Sequence, residues 1–146
     1  LLVSSAASDV YKRQFYNVYG NRQISSGEMA TVIGIFEYQY KKNNPLTIVR
    51  PGTQSRSFTH VKDTVEVCYE AWKMDRCAHY SISHKESYKI IDVAKMFRSK
   101  IRYLPHRVGE RYASALTNLS INNRVFKRYG KISLKHYVSS FIKTKI

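Results

Sequence analysis

No apolar run in these 146 residues approaches the ~18 that a membrane-crossing helix needs. The start lacks the basic residues and longer apolar core of a secretory signal. The 2 cysteines, Cys68 and Cys77, fit no zinc spacing and are too few for a multi-bridge framework, so reduced, buried thiols in a cytoplasmic protein are expected. The 5 histidines show no His-x-x-x-His or Cys/His spacing, and no metal site is expected. Among the 6 glycines no two form a Gly-x-Gly pair, which removes the tight turn on which a dinucleotide pyrophosphate rests. No internal repeat is visible.

Acidic residues are scarce as well. The formal charge is +15, and beyond Glu110 there are only cations: Arg111, Arg124, Lys127, Arg128, Lys131, Lys135, Lys143 and Lys145. Such a balance raises a small basic nucleic-acid-binding module as the alternative function. That reading needs the cations to converge on one groove interleaved with stacking aromatics, and they are scattered instead. Two accounts of the basic end stand side by side: a solvated face that meets a more acidic neighbour, or a field that attracts a dianionic substrate.

With 43% apolar and 13% aromatic residues, the chain has the material for one domain with its own core. A domain of this size buries roughly two-thirds of its extended-chain surface.

Short strands alternate with amphipathic helices from Phe15 onward, an α/β or α+β arrangement. Phe15 to Tyr19 reads as a buried strand ending at Gly20. A capping box, Ser25-x-x-Glu28, opens a helix with Met29, Val32, Ile33, Phe36 and Tyr40 on one face, stopped at Asn43-Asn44-Pro45. Leu46 to Val49 is a strand, Arg50 to Ser55 a turn and Phe58 to His60 a short returning strand. Val61, Val65, Cys68, Tyr69 and Trp72 mark one face of the next helix. His79 to Ser83 is a strand, Ser87 caps a helix carrying Ile91, Val93, Ala94 and Phe97, and Ile101 to Leu104 is a further strand. Two helices close the chain, Ser120 to Tyr129 ended by Gly130, and Ser133 to about Lys143 with Leu134, Tyr137, Val138, Phe141 and Ile142 inward.

Three blocks carry a resemblance: Phe15-Tyr16-Asn17-Val18-Tyr19-Gly20, Pro45-Leu46-Thr47-Ile48-Val49, and Gln54-Ser55-Arg56-Ser57-Phe58-Thr59-His60-Val61. Together they resemble the second half of an extended short-chain dehydrogenase/reductase, the family of NAD-dependent nucleotide-sugar epimerases and dehydratases related to UDP-glucose 4-epimerase. In that family the Asn-Val-Tyr-Gly strand follows the cofactor-binding half, so the resemblance implies that residues 15–146 are a C-terminal substrate-binding segment. The fold class it implies is α/β: an α+β substrate lobe, with Phe15 to Tyr19 and His79 to Ser83 as residual strands of an incomplete Rossmann sheet. Residues 1–14 lie outside the family pattern and read as translated adapter or assembly read-through, or as a frayed leader.

The family's catalytic pair is Tyr-x-x-x-Lys, in which the ammonium lowers the phenol pKa so that the tyrosinate acts as base. Tyr38 with Lys42 and Tyr69 with Lys73 have that spacing. With 12 tyrosines roughly one match arises by chance, both pairs follow Asn-Val-Tyr-Gly instead of preceding it, and Tyr69 sits beside an apolar face as a core residue would. No catalytic residue is assigned.

What the resemblance assigns is substrate binding. A diphosphate calls for arginine forks and amide donors. Asn17 corresponds to the family asparagine that donates to it, the bland alternative being a strand-end Asn bonding its own loop. Arg56 corresponds to the arginine on the nucleotide phosphate, and Arg107 with Glu110 in Arg-x-Gly-Glu to the second arginine and an acid near the ribose. Thr47 and Val49 fall where strand backbone lines the base, and Phe15 and Tyr16 where the cofactor passes. The resemblance further implies NAD as cofactor, a missing N-terminal Rossmann half as partner and a homodimeric parent, with no membrane or nucleic-acid partner. Departures occur at Arg50-Pro51-Gly52 for Gly-Asp-Gly, Arg56-Ser57-Phe58 for Arg-Asp-Phe, and Ser81-Ile82-Ser83-His84-Lys85 for a strand ending in Gly-Ser-Gly.

Overall fold

The structure, a computed structural model, describes residues 17–74, 79–106 and 125–144, with backbone alone at 79–81, 83 and 125–129. Its elements run β1 (Val18–Tyr19), α1 (Val32–Lys41), β2 (Leu46–Val49), β3 (Ser55–Ser57), β4 (Thr59–His60), α2 (Val61–Met74), β5 (His79–Ser83), β6 (Ser87–Lys89), α3 (Ile90–Met96), β7 (Ile101–Leu104), β8 (Val125–Tyr129) and α4 (Leu134–Lys143).

Strands pair two by two. β1 runs parallel to β4 with Val18 opposite Thr59, β2 parallel to β7 with Leu46 opposite Ile101, and β5 parallel to β8 with His79 opposite Val125. β3 and β6 are antiparallel, with Arg56 opposite Tyr88. The β2 sequence Leu-Thr-Ile-Val alternates, and Leu46 and Ile48 enter the core while Thr47 and Val49 stay half-buried.

Helices α1, α3 and α4 meet around Phe97, which is fully buried. Its ring lies 5.9 Å from Phe36 and Tyr40 on α1 and 6.1 Å from Phe141 on α4. Ring pairs at these separations add to the burial of their area. Leu134 and Val138 complete the inner face of α4, as its spacing predicts, and the Ser133 hydroxyl caps that helix by accepting from the His136 N–H at 3.2 Å.

Several sequence expectations are corrected. The first helix starts at Val32 under a Thr31 cap, not at Ser25, and Met29 is exposed. Thr31 is the better cap because its hydroxyl accepts the Gly34 N–H at 3.0 Å while its backbone stays extended. Ser87 caps nothing: it opens β6, and α3 begins at Ile90 behind Lys89 without a side-chain cap. Val125–Tyr129 is a strand, not the end of a helix, as β-branched and aromatic residues with a parallel partner in β5 favour. The largest reversal is on α2. Val61, Val65, Tyr69 and Trp72 face solvent, and Asp63, Thr64 and Val67 are the buried residues. Tyr69 is therefore no core residue, and its ring lies under Lys73 Nζ at 5.4 Å. Cys68 is a half-buried free thiol. Among the described residues no helix is long and apolar enough to cross a membrane, and no three His, Cys, Asp or Glu side chains group to hold a metal ion.

Candidate functional site

Asn17 stands immediately before β1 at φ 38, a left-handed conformation that asparagine tolerates better than most residues. Its Nδ2 donates to the Ser57 carbonyl at 3.0 Å, so the amide reaches across to the end of β3 instead of bonding its own loop. A side-chain amide nitrogen carries two N–H groups, and this bond uses one.

Thr47 and Val49 occupy alternate positions on β2. The N–H groups of Leu46 and Arg50 donate toward β7, to the carbonyls of Lys100 and Leu104. Alternation along the strand turns the backbone groups of Thr47 and Val49 to the opposite edge. There Thr47 N–H donates to Gln39 Oε1 at 2.9 Å, and Gln39 Nε2 returns a bond to Thr47 Oγ1 at 2.8 Å. The turn after β2 holds Gly52 at φ 77, where an added Cβ would stand 2.8 Å from Ile48 Cγ2. Close approach and positive φ together demand glycine there.

Arg56, half-buried at the middle of β3, is braced by a bond from Nη1 to the Ser55 carbonyl at 2.8 Å. Across the pair, burial pushes the Tyr88 hydroxyl up to about 12, with the Glu86 carboxylate that it bonds adding to the shift.

These four residues line one cavity of about 460 Å³, together with Thr31 to Ile33, Phe36, Ile48, Gln54 and Phe58. Arg56 is the charged residue of that lining, and no acid joins it. The first turn of α1 opens on the same space, and helix geometry leaves the N–H groups of Val32 and Ile33 without intrahelical acceptors. A cation, an amide and a helix N-terminus beside an apolar wall form a place for an anion carrying a flat, partly apolar group. Sequence reasoning missed the wall from Thr31 to Phe36, Gln39 behind Thr47, and buried Gln54. Only the last had a signal, standing two residues before Arg56. Phe15, Tyr16, Arg107 and Glu110 lie outside the described residues.

The model of the NAD dependent epimerase/dehydratase family matches residues 8–83, more than half of the chain. The chain belongs to this family. Within it, a UDP-glucuronic acid decarboxylase 6 from Arabidopsis thaliana is 29% identical over 90 residues, which take in 61% of this chain and 25% of that protein. An ADP-L-glycero-D-manno-heptose-6-epimerase from Fusobacterium nucleatum is 33% identical over 63 residues, 38% of this chain and 19% of that one. Among solved structures, the UDP-N-acetylglucosamine 4-epimerase of Methanobrevibacter ruminantium in complex with UDP-N-acetylmuramic acid superposes with a TM-score of 0.70 at 23% identity, over 90% of this chain and 45% of its own. The UDP-glucuronic acid 4-epimerase of Bacillus cereus, in complex with UDP-glucuronic acid and NAD, gives 0.69 at 21% identity, over 91% and 45%. This epimerase/dehydratase chain thus spans a quarter or less of those curated relatives and under half of those solved neighbours.

Proposed function

We propose that this chain is the substrate-binding part of an NAD-dependent nucleotide-sugar epimerase or dehydratase whose cofactor-binding half lies outside these residues. The observation that carries the reading is the convergence of Asn17, Thr47, Val49 and Arg56, drawn from three separate stretches of sequence, on one cavity. In the roles that follow, Arg56 and Asn17 hold the diphosphate. The backbone edge at Val49 and the wall from Val32 to Phe36 hold the base. Arg107 and Glu110, by their place in Arg-x-Gly-Glu, are assigned to the second phosphate and the ribose.

NAD supplies a hydride acceptor in such enzymes. The residues of this chain do not fit it: no pair of glycines forms the pyrophosphate turn, and the glycines near the cavity serve other ends, Gly52 a turn and Gly34 a close approach to the Ile24 backbone. No chemical step through NAD is therefore assigned to these residues, which bind and orient.

The test is titration of UDP-glucuronic acid, UDP-N-acetylglucosamine, UDP and uridine into the chain, followed by backbone amide resonances. The three diphosphates should shift Asn17, Val49 and Arg56 at comparable concentrations, and uridine far less. Diphosphates that leave those resonances unmoved would refute the reading.

A further inference from the structure

Cations that lie scattered along the sequence gather at one end of the fold. Lys41 and Lys42 stand at the end of α1, with Tyr38 one turn before them on the same exposed face. Gln39, next to Tyr38, bonds Thr47, whose partner in the parallel register is Arg102. The Leu46 N–H donates to the Lys100 carbonyl at 2.7 Å, which sets Lys100 at the foot of the same strand pair. Arg98 lies two residues earlier, just past the end of α3. From the other side, the Lys41 ammonium stands 5.2 Å from the centre of the Phe141 ring, so the end of α4, with Lys143, meets the end of α1. Ring contacts of Phe97 with Tyr40 and Phe141 lock the three helix ends together.

Lys41, Lys42, Arg98, Lys100, Arg102 and Lys143 are all exposed, and among the described residues none of them is in an ion pair. The acids on the same helices are engaged, Asp92 with Lys95 at 3.9 Å and Glu37 with the Tyr137 hydroxyl. Lys41 and Lys143 also meet the partial negative charge at the ends of their own helices. Lys100 and Arg102 belong to no helix, so no dipole of their own accounts for them. Arg98 takes the position after α3 at φ 54, where glycine or asparagine is the local preference. The backbone does not ask for arginine there. Converging positive charge that nothing neutralises is a surface for a polyanion. A lipid surface would call for aliphatic side chains or tryptophan beside the cations, and the exposed Ile24, Met29, Val65 and Trp72 stand before α1 or on α2 instead. What stands here is Tyr38, 50% exposed, and a tyrosine ring beside lysines is a platform for a base.

We infer that this basic end of the fold binds single-stranded nucleic acid, with phosphates along Arg98, Lys100 and Arg102 and on to Lys41, Lys42 and Lys143, and one base stacked on Tyr38. The surface is separate from the cavity that Arg56 lines. That cavity opens at the first turn of α1, about 15 Å away along the 10-residue helix.

The test is fluorescence anisotropy of a short labelled thymidine oligonucleotide, titrated with the full chain at several salt concentrations. Six phosphate contacts on a single strand predict a slope of log K against log salt of about −4. Lys100→Ala and Arg102→Ala should each flatten that slope by about 0.7, and Lys135→Ala, at the opposite end of α4 from Lys143, should not. Tyr38→Ala should keep the slope and weaken binding roughly five- to a hundredfold, the loss of one stacked base, while Tyr38→Phe should bind as the parent chain does. All of these side chains are exposed, so the variants should melt with the parent chain. A slope near −1, an equal flattening by Lys135→Ala, or unaltered affinity in Tyr38→Ala overturns the inference. So does tighter binding to phosphatidylserine vesicles or to polyglutamate than to the oligonucleotide at equal charge. Displacement of the oligonucleotide by UDP-N-acetylglucosamine would place it in the Arg56 cavity and overturn the inference as well, while leaving the proposed function standing.

Discussion

Gln39 holds Thr47 at two points, accepting its N–H at 2.9 Å and donating to its hydroxyl at 2.8 Å. One side chain on α1 thereby fixes the edge of β2 that faces away from β7, where the cavity meets the strand. Gln39→Ala should cost about 1–3 kcal/mol, one or two net hydrogen bonds with a half-buried N–H left behind. Gln39→Glu should cost less, since a carboxylate still accepts the Thr47 N–H and the threonine hydroxyl can turn to donate. Urea unfolding of the two variants checks the order, and equal losses would show that the clamp is not what matters.

Arg56→Ala should weaken UDP-sugar binding roughly ten- to a hundredfold, the loss of a charge-assisted bond of about 1.5–3 kcal/mol. Arg107→Ala should do the same, Lys at either position should rescue in part because it restores charge without the planar fork, and Lys143→Ala on α4 should do little. Calorimetric titration decides. If both arginine variants bind as tightly as the parent chain, the assignments fail, and DNA binding with a steep salt dependence becomes the result to seek.

The strands of the candidate site were legible in the sequence, and the outward face of α2 was not. Leu46 to Val49 and Ile101 to Leu104 announced themselves because a buried parallel strand needs short apolar runs, and Arg56 stood out by its neighbours. Val61, Val65, Tyr69 and Trp72 form an equally clear helical stripe, on which Tyr69 reads as core, yet all four are exposed. Periodicity reports that a face wants covering, but it does not say from which side or by which segment. Asp63 sits on the buried stripe because Ile132 offers it an N–H, a partner that no local pattern reveals. The strand at Val125–Tyr129 was missed for the same reason, its pairing with His79–Ser83 being entirely long-range.

Gly34→Ala should destabilise the chain although it lies inside a helix. Alanine normally gains about 0.5–1 kcal/mol over glycine there. Here the new Cβ would run into the backbone carbonyl of Ile24 and crowd the Thr31 hydroxyl that caps α1. Relief requires moving backbone, at about 1–3 kcal/mol. A lowered melting temperature is expected, and a raised one would show that the segment at Ile24 yields freely.

Burial holds the His60 imidazole below its ordinary value of 6.5, against a smaller upward pull from Asp63, with Lys62 also lowering it. The unfolded chain therefore binds this proton first as pH falls, and stability should decline from about pH 6.5 downward until the folded pKa is passed. Above pH 6.5 the group contributes no slope. His60→Asn, which keeps an acceptor for the Lys62 N–H, should flatten that part of the profile. An unchanged slope in urea midpoints between pH 5 and 7 would rule His60 out as its source.

The chain alone should bind NAD no more tightly than about millimolar, because no turn of its own can seat a pyrophosphate. Micromolar binding by calorimetry would contradict this.

The parallel registers also set the order in which the molecule can assemble. Val18 waits for Thr59, Leu46 for Ile101 and His79 for Val125, so no parallel pair closes before a long intervening stretch has been synthesised. Among the described residues only β3 and β6 meet antiparallel, and even there Ser57 must wait for Ser87. Loops of this span close at an entropic cost that nearby contacts cannot offset early, which places the chain among slow folders. The helices, whose hydrogen bonds are local, need wait for none of these partners.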